Sequence, residues 1–145
     1  MALTCALSSA LLEKLVRGAG AQRIRMIRQE CLRMVDEDAK HFAQVLEAIA
    51  ANDRVAFVEA LKTATEIPCR LHARSHQLLR IARRSRATID ARYRVDLACV
   101  IALATASGRA AQALVRENLR WLGDRTYARR IMTRVRQAAT HDRTR

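Results

Sequence analysis

Residues that interrupt helices are nearly absent from this chain. Its 145 residues include four glycines and a single proline, Pro68. Gly and Pro are the least favourable residues in a helix interior, and aromatic residues, which strands favour, make up only 3% of the chain. The predicted fold is therefore all-α, and the length suits a single domain with a core of its own.

Apolar residues recur every three to four positions between the interruptions, which is the spacing of amphipathic helices. The pattern predicts a bundle of five long helices, covering Leu3 to Leu15, about Gln22 to Ala50, about Asp53 to the basic run at 80–86, Asp96 to about Leu122, and the stretch after Asp124. The predicted inward stripe of the first helix is Leu3, Ala6, Leu7, Ala10, Leu11 and Leu15. Since proline lacks a backbone donor, we expect a kink or break at Ile67–Pro68. Residues 141–145 are expected to form a frayed basic tail.

Polar residues stand in apolar positions of the second and fourth helices. Asp38 falls between Val35 and Phe42, so helical geometry places its carboxylate on the buried stripe of the second helix. Asn118 occupies an apolar position of the fourth helix, and Asp96 stands at its start, where aspartate is a preferred N-cap. A buried carboxylate pairs with an arginine or lines a cleft where it can transfer protons. These three residues predict a site without defining its chemistry.

The cysteines and histidines suggest two kinds of site, a metal site on one helix and a disulfide framework, and the pattern favours neither. Cys69, His72 and His76 share one helix face at spacings of three and four. All three come from a single helix with no carboxylate close in sequence, so we expect surface histidines, a packed cysteine and no metal. The four cysteines are Cys5, Cys31, Cys69 and Cys99. Their wide spacing in helical stripes predicts small buried side chains in a reducing cytoplasm rather than a disulfide framework.

The chain is strongly basic, with 27 Lys and Arg residues against 14 Asp and Glu residues and a formal net charge of +13. Such a charge attracts polyanions, although arginine can equally be a common solvated surface residue. The basic positions of the last helix are Arg125, Arg129, Arg130, Arg134 and Arg136. No motif for reading nucleic-acid bases accompanies them, so they predict phosphate contacts at most. A signal peptide is not evident, and the uncharged run 97–108 is too short to span a bilayer, so we expect a cytoplasmic protein without membrane contact.

Three segments occur in series along the chain, namely VDEDAKHFAQVLEAI, ATEIPCRLHARSHQLL and RVDLACVIALATASGRAAQALVRENLRWLGD. Together they resemble the cyclodeaminase/cyclohydrolase family, which contains formiminotetrahydrofolate cyclodeaminases and methenyltetrahydrofolate cyclohydrolases. The resemblance covers about residues 1–125. It implies an all-helical homodimer that binds a tetrahydrofolate derivative near the dimer interface without a metal.

The resemblance also implies roles for individual residues. Asp38 and Phe42 match the Asp-x-x-x-Phe motif of the family, Pro68 matches a family proline, Asp96 matches the aspartate of a Ser-Asp pair, and Asn118 begins the match to an Asn-Leu pair. Asp96 would be the catalytic acid or base. Asp38 would stabilise positive charge or bind the pterin, and Asn118 and Phe42 would bind the substrate.

Two departures from the family pattern accompany these matches. Val95 stands where the family has serine, and the preceding Gly-Asn is not evident. The family also has a Pro-Gly-Gly-Gly-Ser loop before its first helix, whereas this chain starts at Met1, so residues 1–140 are expected to form the domain without that loop. Two explanations stay open: a misassigned start of the sequence, or loss of the loop together with the activity.

Three functional hypotheses follow from the sequence. The first is a folate-dependent one-carbon enzyme, either a hydrolase or an ammonia-releasing lyase. The second is a non-catalytic helical dimer that binds folate or a partner protein, and the third is a basic protein that binds polyanions. The sequence does not choose between cyclohydrolase and cyclodeaminase.

Overall fold

The computed structural model describes residues 1–140, and this part of the chain is helical without any strand. The five helices are α1 (Ala2–Leu15), α2 (Ala19–Ala50), α3 (Arg54–Arg84), α4 (Arg94–Leu122) and α5 (Arg125–Thr140). Two short 3₁₀ turns, Ser85–Ala87 and Ala91–Tyr93, connect α3 to α4. The all-α, five-helix prediction is confirmed, and the predicted tail at 141–145 lies outside the described residues.

Several helix ends follow the capping residues of the sequence. The Asp53 carboxylate accepts hydrogen bonds from two backbone N–H groups at the start of α3, at 2.9 and 3.0 Å. Gly123 ends α4 with a φ of 67°, a left-handed conformation that glycine adopts without a steric penalty. Asp124 then accepts from the backbone N–H of Tyr127 at 2.9 Å and starts α5.

Asp96 does not cap α4, so this part of the prediction is wrong. The side chain of Asp90 accepts from the backbone N–H of Arg92 and starts a 3₁₀ turn that leads directly into α4. The helix therefore begins at Arg94, with Tyr93 at the N-cap and no side-chain hydrogen bond there. Asp96 already lies in the first turn, where a carboxylate interacts favourably with the helix dipole.

The predicted helix break at Pro68 is also wrong. Helix α3 continues through Pro68, which is buried with its neighbours Ile67 and Cys69. Proline removes only one backbone hydrogen bond of the helix, that to the carbonyl of residue 64. The long helical segments on both sides, packed against their neighbours, keep the remaining hydrogen bonds in register.

Helices α1 to α4 form a four-helix bundle in which α1 and α3 lie opposite each other. Helix α3 packs against α2, α4 and α5, and α1 packs against α2 and α4. The core has two clusters, one centred on α1, α2, α3 and α4, the other on the remaining ends of α2, α3 and α4 together with α5. The segment Ala91–Leu122 is long and apolar enough to cross a membrane, a criterion that the core helix of a soluble bundle also meets.

Helix α1 begins halfway along the bundle. The Met1 carbonyl accepts a hydrogen bond from Ser107 of α4 at 3.1 Å, and the Cys5 Sγ lies 3.6 Å from the hydroxyl of Ser75 in α3. At its other end, Glu13 pairs with Arg25 near the start of α2. The 14-residue α1 therefore covers the first half of α2 and of α4 and leaves the second half of each without this neighbour.

The inward face of α1 differs from the predicted leucine stripe. Leu3 and Leu7 are 61% and 60% exposed, so the prediction is wrong for both residues. The buried residues of α1 are Cys5, Ala6, Ser8, Ser9 and Leu12. Most of these side chains are small, which allows close approach to α4, where the Ser8 hydroxyl donates to the Val100 carbonyl at 3.0 Å.

Candidate functional site

Asp38 lies on the expected face of α2, but its side chain is exposed, so the prediction that it is buried is wrong. The buried stripe of α2 contains Ile24, Ile27, Cys31 and Met34, where α1 covers it. Asp38 continues the same stripe beyond the start of α1. The stripe is therefore open to solvent at Asp38, and the same applies to Phe42, which is 60% exposed.

We call the half of the bundle that α1 does not cover the open half. Asn118 of α4 faces this open half, as Asp38 and Phe42 of α2 do. Its side chain is half-buried, and the adjacent Leu119 occupies the buried position instead. Asn118 lies eleven residues beyond Ser107, and Phe42 lies eleven residues beyond Cys31. Cys31 and Ser107 belong to the same cluster at the middle of the bundle. At a rise of 1.5 Å per residue, Phe42 and Asn118 each lie about 16 Å beyond that cluster along the bundle axis, and therefore at the same height.

Asp38 has no structural partner within residues 1–140. Two other carboxylates of α2 are paired with arginines of α3, Glu37 with Arg70 at 2.7 Å and Glu30 with Arg74 at 2.6 Å, whereas Asp36 and Glu47 are exposed and, within residues 1–140, unpaired like Asp38. Neither an ion pair nor a hydrogen bond engages Asp38, and the arginine partner considered from the sequence is not found in the described chain. The side chains of Asn118 and Asp96 likewise carry no hydrogen bond within the described range.

A cavity of about 280 Å³ lies at the far end of this open half. The residues that line it include Ile49, Arg54, Phe57 and Trp121. The guanidinium of Arg54 lies 5.1 Å from the centroid of the Phe57 ring, and Asn52 and Asp53 add an amide and a carboxylate to the lining. These residues were not predicted as site residues from the sequence, although a lone tryptophan off the apolar stripe of α4 could have indicated a binding surface.

Trp121 is held in a fixed orientation although 60% of its side chain is exposed. Its indole N–H donates to the carboxylate of Glu117 at 2.8 Å, and Arg120 binds the same carboxylate. The indole hydrogen bond, reinforced by the one from Arg120, lowers the pKa of Glu117. The ring lies among the residues that line the cavity of about 280 Å³.

The second predicted carboxylate, Asp96, lies far from these residues. It precedes Asn118 by 22 residues on one continuous helix, which corresponds to about 33 Å of axial rise. The two residues nevertheless share one side of α4, because 22 residues at about 100° per residue return to within about 40° of the starting direction. Within one copy of the chain, Asp38, Phe42 and Asn118 therefore lie at similar heights along the bundle axis, and Asp96 does not.

The histidine and cysteine group on α3 is occupied by structural contacts. His72 is buried, so its prediction as a surface residue is wrong. Its Nδ1 lies 3.0 Å from the Gly108 carbonyl and its Nε2 lies 3.2 Å from the Val135 carbonyl, which joins α3 to α4 and α5. Burial raises the pKa of Cys69 to about 11, which disfavours the thiolate. Residues 1–140 contain no group of three or more His, Cys, Asp or Glu side chains arranged to hold a metal.

The exposed position of Cys99 contradicts its prediction as a buried thiol, whereas Cys5, Cys31 and Cys69 are buried as predicted. Cys99 belongs to a strip along the outer side of α4 that we call the α4 strip. Its exposed members are Val95, Cys99, Ala102, Ala106, Arg109 and Ala113. Small or apolar side chains thus make up most of this strip, and Arg109 is its charged member.

Comparison with known proteins places this arrangement in a family. A model of the formiminotransferase-cyclodeaminase family matches residues 2–137. The crystal structure of a formiminotetrahydrofolate cyclodeaminase from Thermotoga maritima superposes with a TM-score of 0.88 at 15% sequence identity, covering 97% of this chain and 78% of that chain. No curated protein matches the sequence. The structural match shows a shared fold, and the family match spans nearly the whole chain. The chain belongs to the formiminotransferase-cyclodeaminase family.

Proposed function

We propose that the protein is a folate-dependent one-carbon enzyme of the methenyltetrahydrofolate cyclohydrolase or formiminotetrahydrofolate cyclodeaminase type. The observation that carries the proposal is the open half of the bundle. There a carboxylate (Asp38), an aromatic ring (Phe42) and an amide (Asn118) lie close in level without structural partners within residues 1–140. Polar groups that no structural contact uses are available to a ligand.

The proposed chemistry needs a carboxylate near a cationic carbon. Hydrolysis adds water to the methenyl carbon, loses a proton and breaks one carbon–nitrogen bond to leave a formyl group. The cyclodeaminase reaction closes the methenyl bridge with loss of ammonia. In either case Asp38 stabilises the positive charge or binds the pterin, and Asp96 exchanges the proton.

Phe42, Asn118 and the cavity beyond them suit the shape of a folate. The flat rings of such a ligand pack on Phe42, and the Asn118 amide donates to or accepts from their polar edges. Arg54 at the cavity of about 280 Å³ supplies a cation for the carboxylates of the glutamate tail. The arrangement requires no metal ligand.

The 33 Å separation of Asp96 and Asn118 leads us to propose that the site is shared between two copies in a homodimer. Ser107 lies midway, eleven residues from each. If two copies of α4 pack antiparallel about a two-fold axis near Ser107, Asp96 of one copy is level with Asn118 of the other. The α4 strip is the proposed contact, because its exposed alanines let two helices approach closely. The Arg109 side chain lies near the axis and has to turn away from its counterpart to avoid opposing like charges.

Cysteine cross-linking tests this orientation without any substrate. In the proposed dimer, Ala106 lies next to its own counterpart, whereas Cys99 lies about 24 Å from its counterpart along α4. We therefore expect Ala106→Cys in a Cys99→Ser background to form a cross-linked dimer on oxidation, and the wild-type protein to form none through Cys99. A Cys99 cross-link in the wild type would instead indicate parallel packing.

An activity assay tests the function itself. The absorbance of methenyltetrahydrofolate is followed at a pH where its spontaneous hydrolysis is slow, with wild type, Asp38→Asn and Asp96→Asn. General acid–base catalysis is worth about 10²–10⁴-fold, so Asp96→Asn should lose at least about 100-fold in rate. Loss of one electrostatic contact to the transition state costs about 10²–10³-fold, so Asp38→Asn should lose a similar factor if Asp38 stabilises the positive charge. Asp36→Asn, a change at an exposed carboxylate of the same helix, is the matched control and should keep full activity. Equal rates in all four proteins would contradict the assignment.

One observation favours a second candidate function, the binding of polyanions. Arg125, Arg129 and Arg136 are exposed along one ridge of α5 and make no ion pair within residues 1–140, whereas Arg134 pairs with Glu66. Replacing the three ridge arginines by Gln should abolish binding to unrelated nucleic acids and flatten its salt dependence, while Arg134→Gln changes it less. Binding that survives high salt would contradict this electrostatic account.

A further inference from the structure

Another cavity, of about 310 Å³, lies between α3, α4 and the last turn of α5. Three of the side chains that line it belong to α4, namely Thr105, Arg109 and Gln112, and a fourth, Arg83, belongs to α3. Thr105 precedes Asn118 by 13 residues, which at about 100° per residue places the two residues about 140° apart around α4. This cavity is therefore separate from the open half and from the proposed folate site.

Buried residues of packed helices form one wall of this cavity. His72 lines it and is only 3% exposed, and its two ring nitrogens contact the carbonyls of Gly108 and Val135 at 3.0 and 3.2 Å. Gly108 lines the cavity as well, and a Cβ at this position would lie 3.3 Å from the Cβ of Ser75, so α3 and α4 approach closely here. The shape of the cavity is therefore set by the contacts of α3 with α4 and α5.

The charged groups of this cavity are cations. Among the described residues that line it, none is an aspartate or a glutamate, and Arg109 makes no ion pair within residues 1–140. A smaller cavity of about 190 Å³ between α3 and α5 also contains arginines, but there Arg70 and Arg134 are each paired with a glutamate. The positive charge of Arg109 is therefore available to an anion, whereas the charges of Arg70 and Arg134 are already compensated.

We propose that this cavity binds a phosphate group, with Arg109 as its main ligand and Arg83 as a second cation. A phosphate group carries about two negative charges at neutral pH, which two guanidinium groups balance. Each guanidinium presents a planar fork of N–H donors that matches phosphate oxygens. The Thr105 hydroxyl and the Gln112 amide add neutral donors to the same lining. The cavity is larger than a phosphate ion needs, so it also admits the phosphate group of a small phosphomonoester.

Calorimetric titration of the full-length protein tests the proposal. The probes are inorganic phosphate and phenyl phosphate, and sodium chloride keeps the ionic strength constant, so that general attraction to the basic surface stays the same throughout. We expect saturable binding of inorganic phosphate at one site per chain. Tighter binding of phenyl phosphate would support the proposal with a phosphomonoester as the ligand, and equal or weaker binding would support it with free phosphate. Absence of saturable binding of both probes would overturn it.

Matched variants of two arginines on α4 locate the site. Arg109→Gln removes a charge-assisted hydrogen bond and should weaken phosphate binding about 10-fold or more. Arg116→Gln removes the same charge from an exposed position of α4 that does not line this cavity, and it should leave the affinity unchanged. Both side chains are exposed, so both variants should fold like the wild type. Equal losses of affinity in the two variants would show that phosphate only accumulates at the basic surface, and would overturn the proposal.

Discussion

The two halves of helix α2 carry the same helical face into different environments. In the half beside α1, that face consists of buried apolar residues such as Ile24 and Met34. Beyond α1 the side of this face that carries Asp38, Phe42 and Ile49 is exposed, whereas Val45 and Ala48 stay buried. The difference arises from the neighbour and not from the helix, because α2 is continuous across the boundary. Within residues 1–140, α1 therefore covers this face of α2 along its first half and leaves it exposed along the second half.

Two isoleucines of α2 give the largest contrast. Ile24 is fully buried and Ile49 is 54% exposed. Ile24→Ala removes buried methyl groups and leaves a cavity, so it should lower the free energy of unfolding by about 2–5 kcal/mol. Ile49→Ala should change it by less than about 1 kcal/mol, as judged by urea titration of both variants. Equal losses would mean that the second half of α2 is covered in solution.

Replacement of Phe42 should weaken substrate binding without lowering the free energy of unfolding. If folate packs on this ring, Phe42→Ala removes a contact worth about 0.5–1.5 kcal/mol and raises KM about 2–10-fold. The free energy of unfolding should stay within about 0.5 kcal/mol of the wild type, because the ring is exposed. Steady-state kinetics and urea titration on the same preparation check both parts. An unchanged KM together with a large loss of stability would assign the ring to packing.

Variants of two aspartates near helix starts distinguish a capping role from a functional role. Asp53 accepts two backbone hydrogen bonds, so Asp53→Ala should cost about 1 kcal/mol. Within residues 1–140 the Asp96 side chain makes no hydrogen bond or ion pair and interacts with the dipole of α4, so Asp96→Ala should cost no more than about 0.5 kcal/mol. Thermal unfolding of both variants is the measurement. A loss at Asp96 as large as that at Asp53 would favour a structural role for Asp96.

The smallest expected effect concerns the attachment of α1. The hydrogen bond from Arg25, with the nearby charge of Arg28, lowers the pKa of Glu13. A depressed carboxylate pKa contributes stability above the unfolded-state pKa, and this contribution is lost as the pH falls through the folded-state value. Glu13→Gln should therefore lower Tm at neutral pH and match the wild type in acid. Glu59→Gln, at an exposed pair with Lys62, is the control, and a Glu13 effect that persists in acid would contradict the linkage.

The number, type and approximate ends of the helices could be predicted because local chemistry determines them. A helix end is marked by the backbone conformation of Gly123, and helix starts are marked by the capping side chains of Asp53 and Asp124. Both signals can be recognised in a short stretch of sequence. The break expected at Pro68 was wrong because packing along both sides of α3 outweighs one missing hydrogen bond. Likewise, hydrophobicity favoured Leu3 and Leu7 as the inward face of α1, whereas close helix packing selected small residues there.

The candidate site could be predicted only in part. Periodicity identified the face of α2 that carries Asp38, but a single helix contains no information about where its neighbour ends, so burial was assigned wrongly. The separation of Asp96 from Asn118 was already implicit in their numbering, since 22 helical residues span about 33 Å. Trp121 was missed because it lies off the apolar stripe and belongs to a cavity formed by three helices.

Subunit complementation tests the shared site most directly. Asp96→Asn and Asp38→Asn proteins, each inactive as a homodimer, are mixed in equal amounts, unfolded together and refolded, and assayed with methenyltetrahydrofolate. If Asp96 of one copy acts with Asp38 of the other, half of the dimers are mixed and each contains one intact site, so about one quarter of the wild-type activity should return. If both carboxylates act within one chain, every site in the mixture lacks one of them. Failure to recover activity, with wild type refolded in parallel and active, would contradict the shared site.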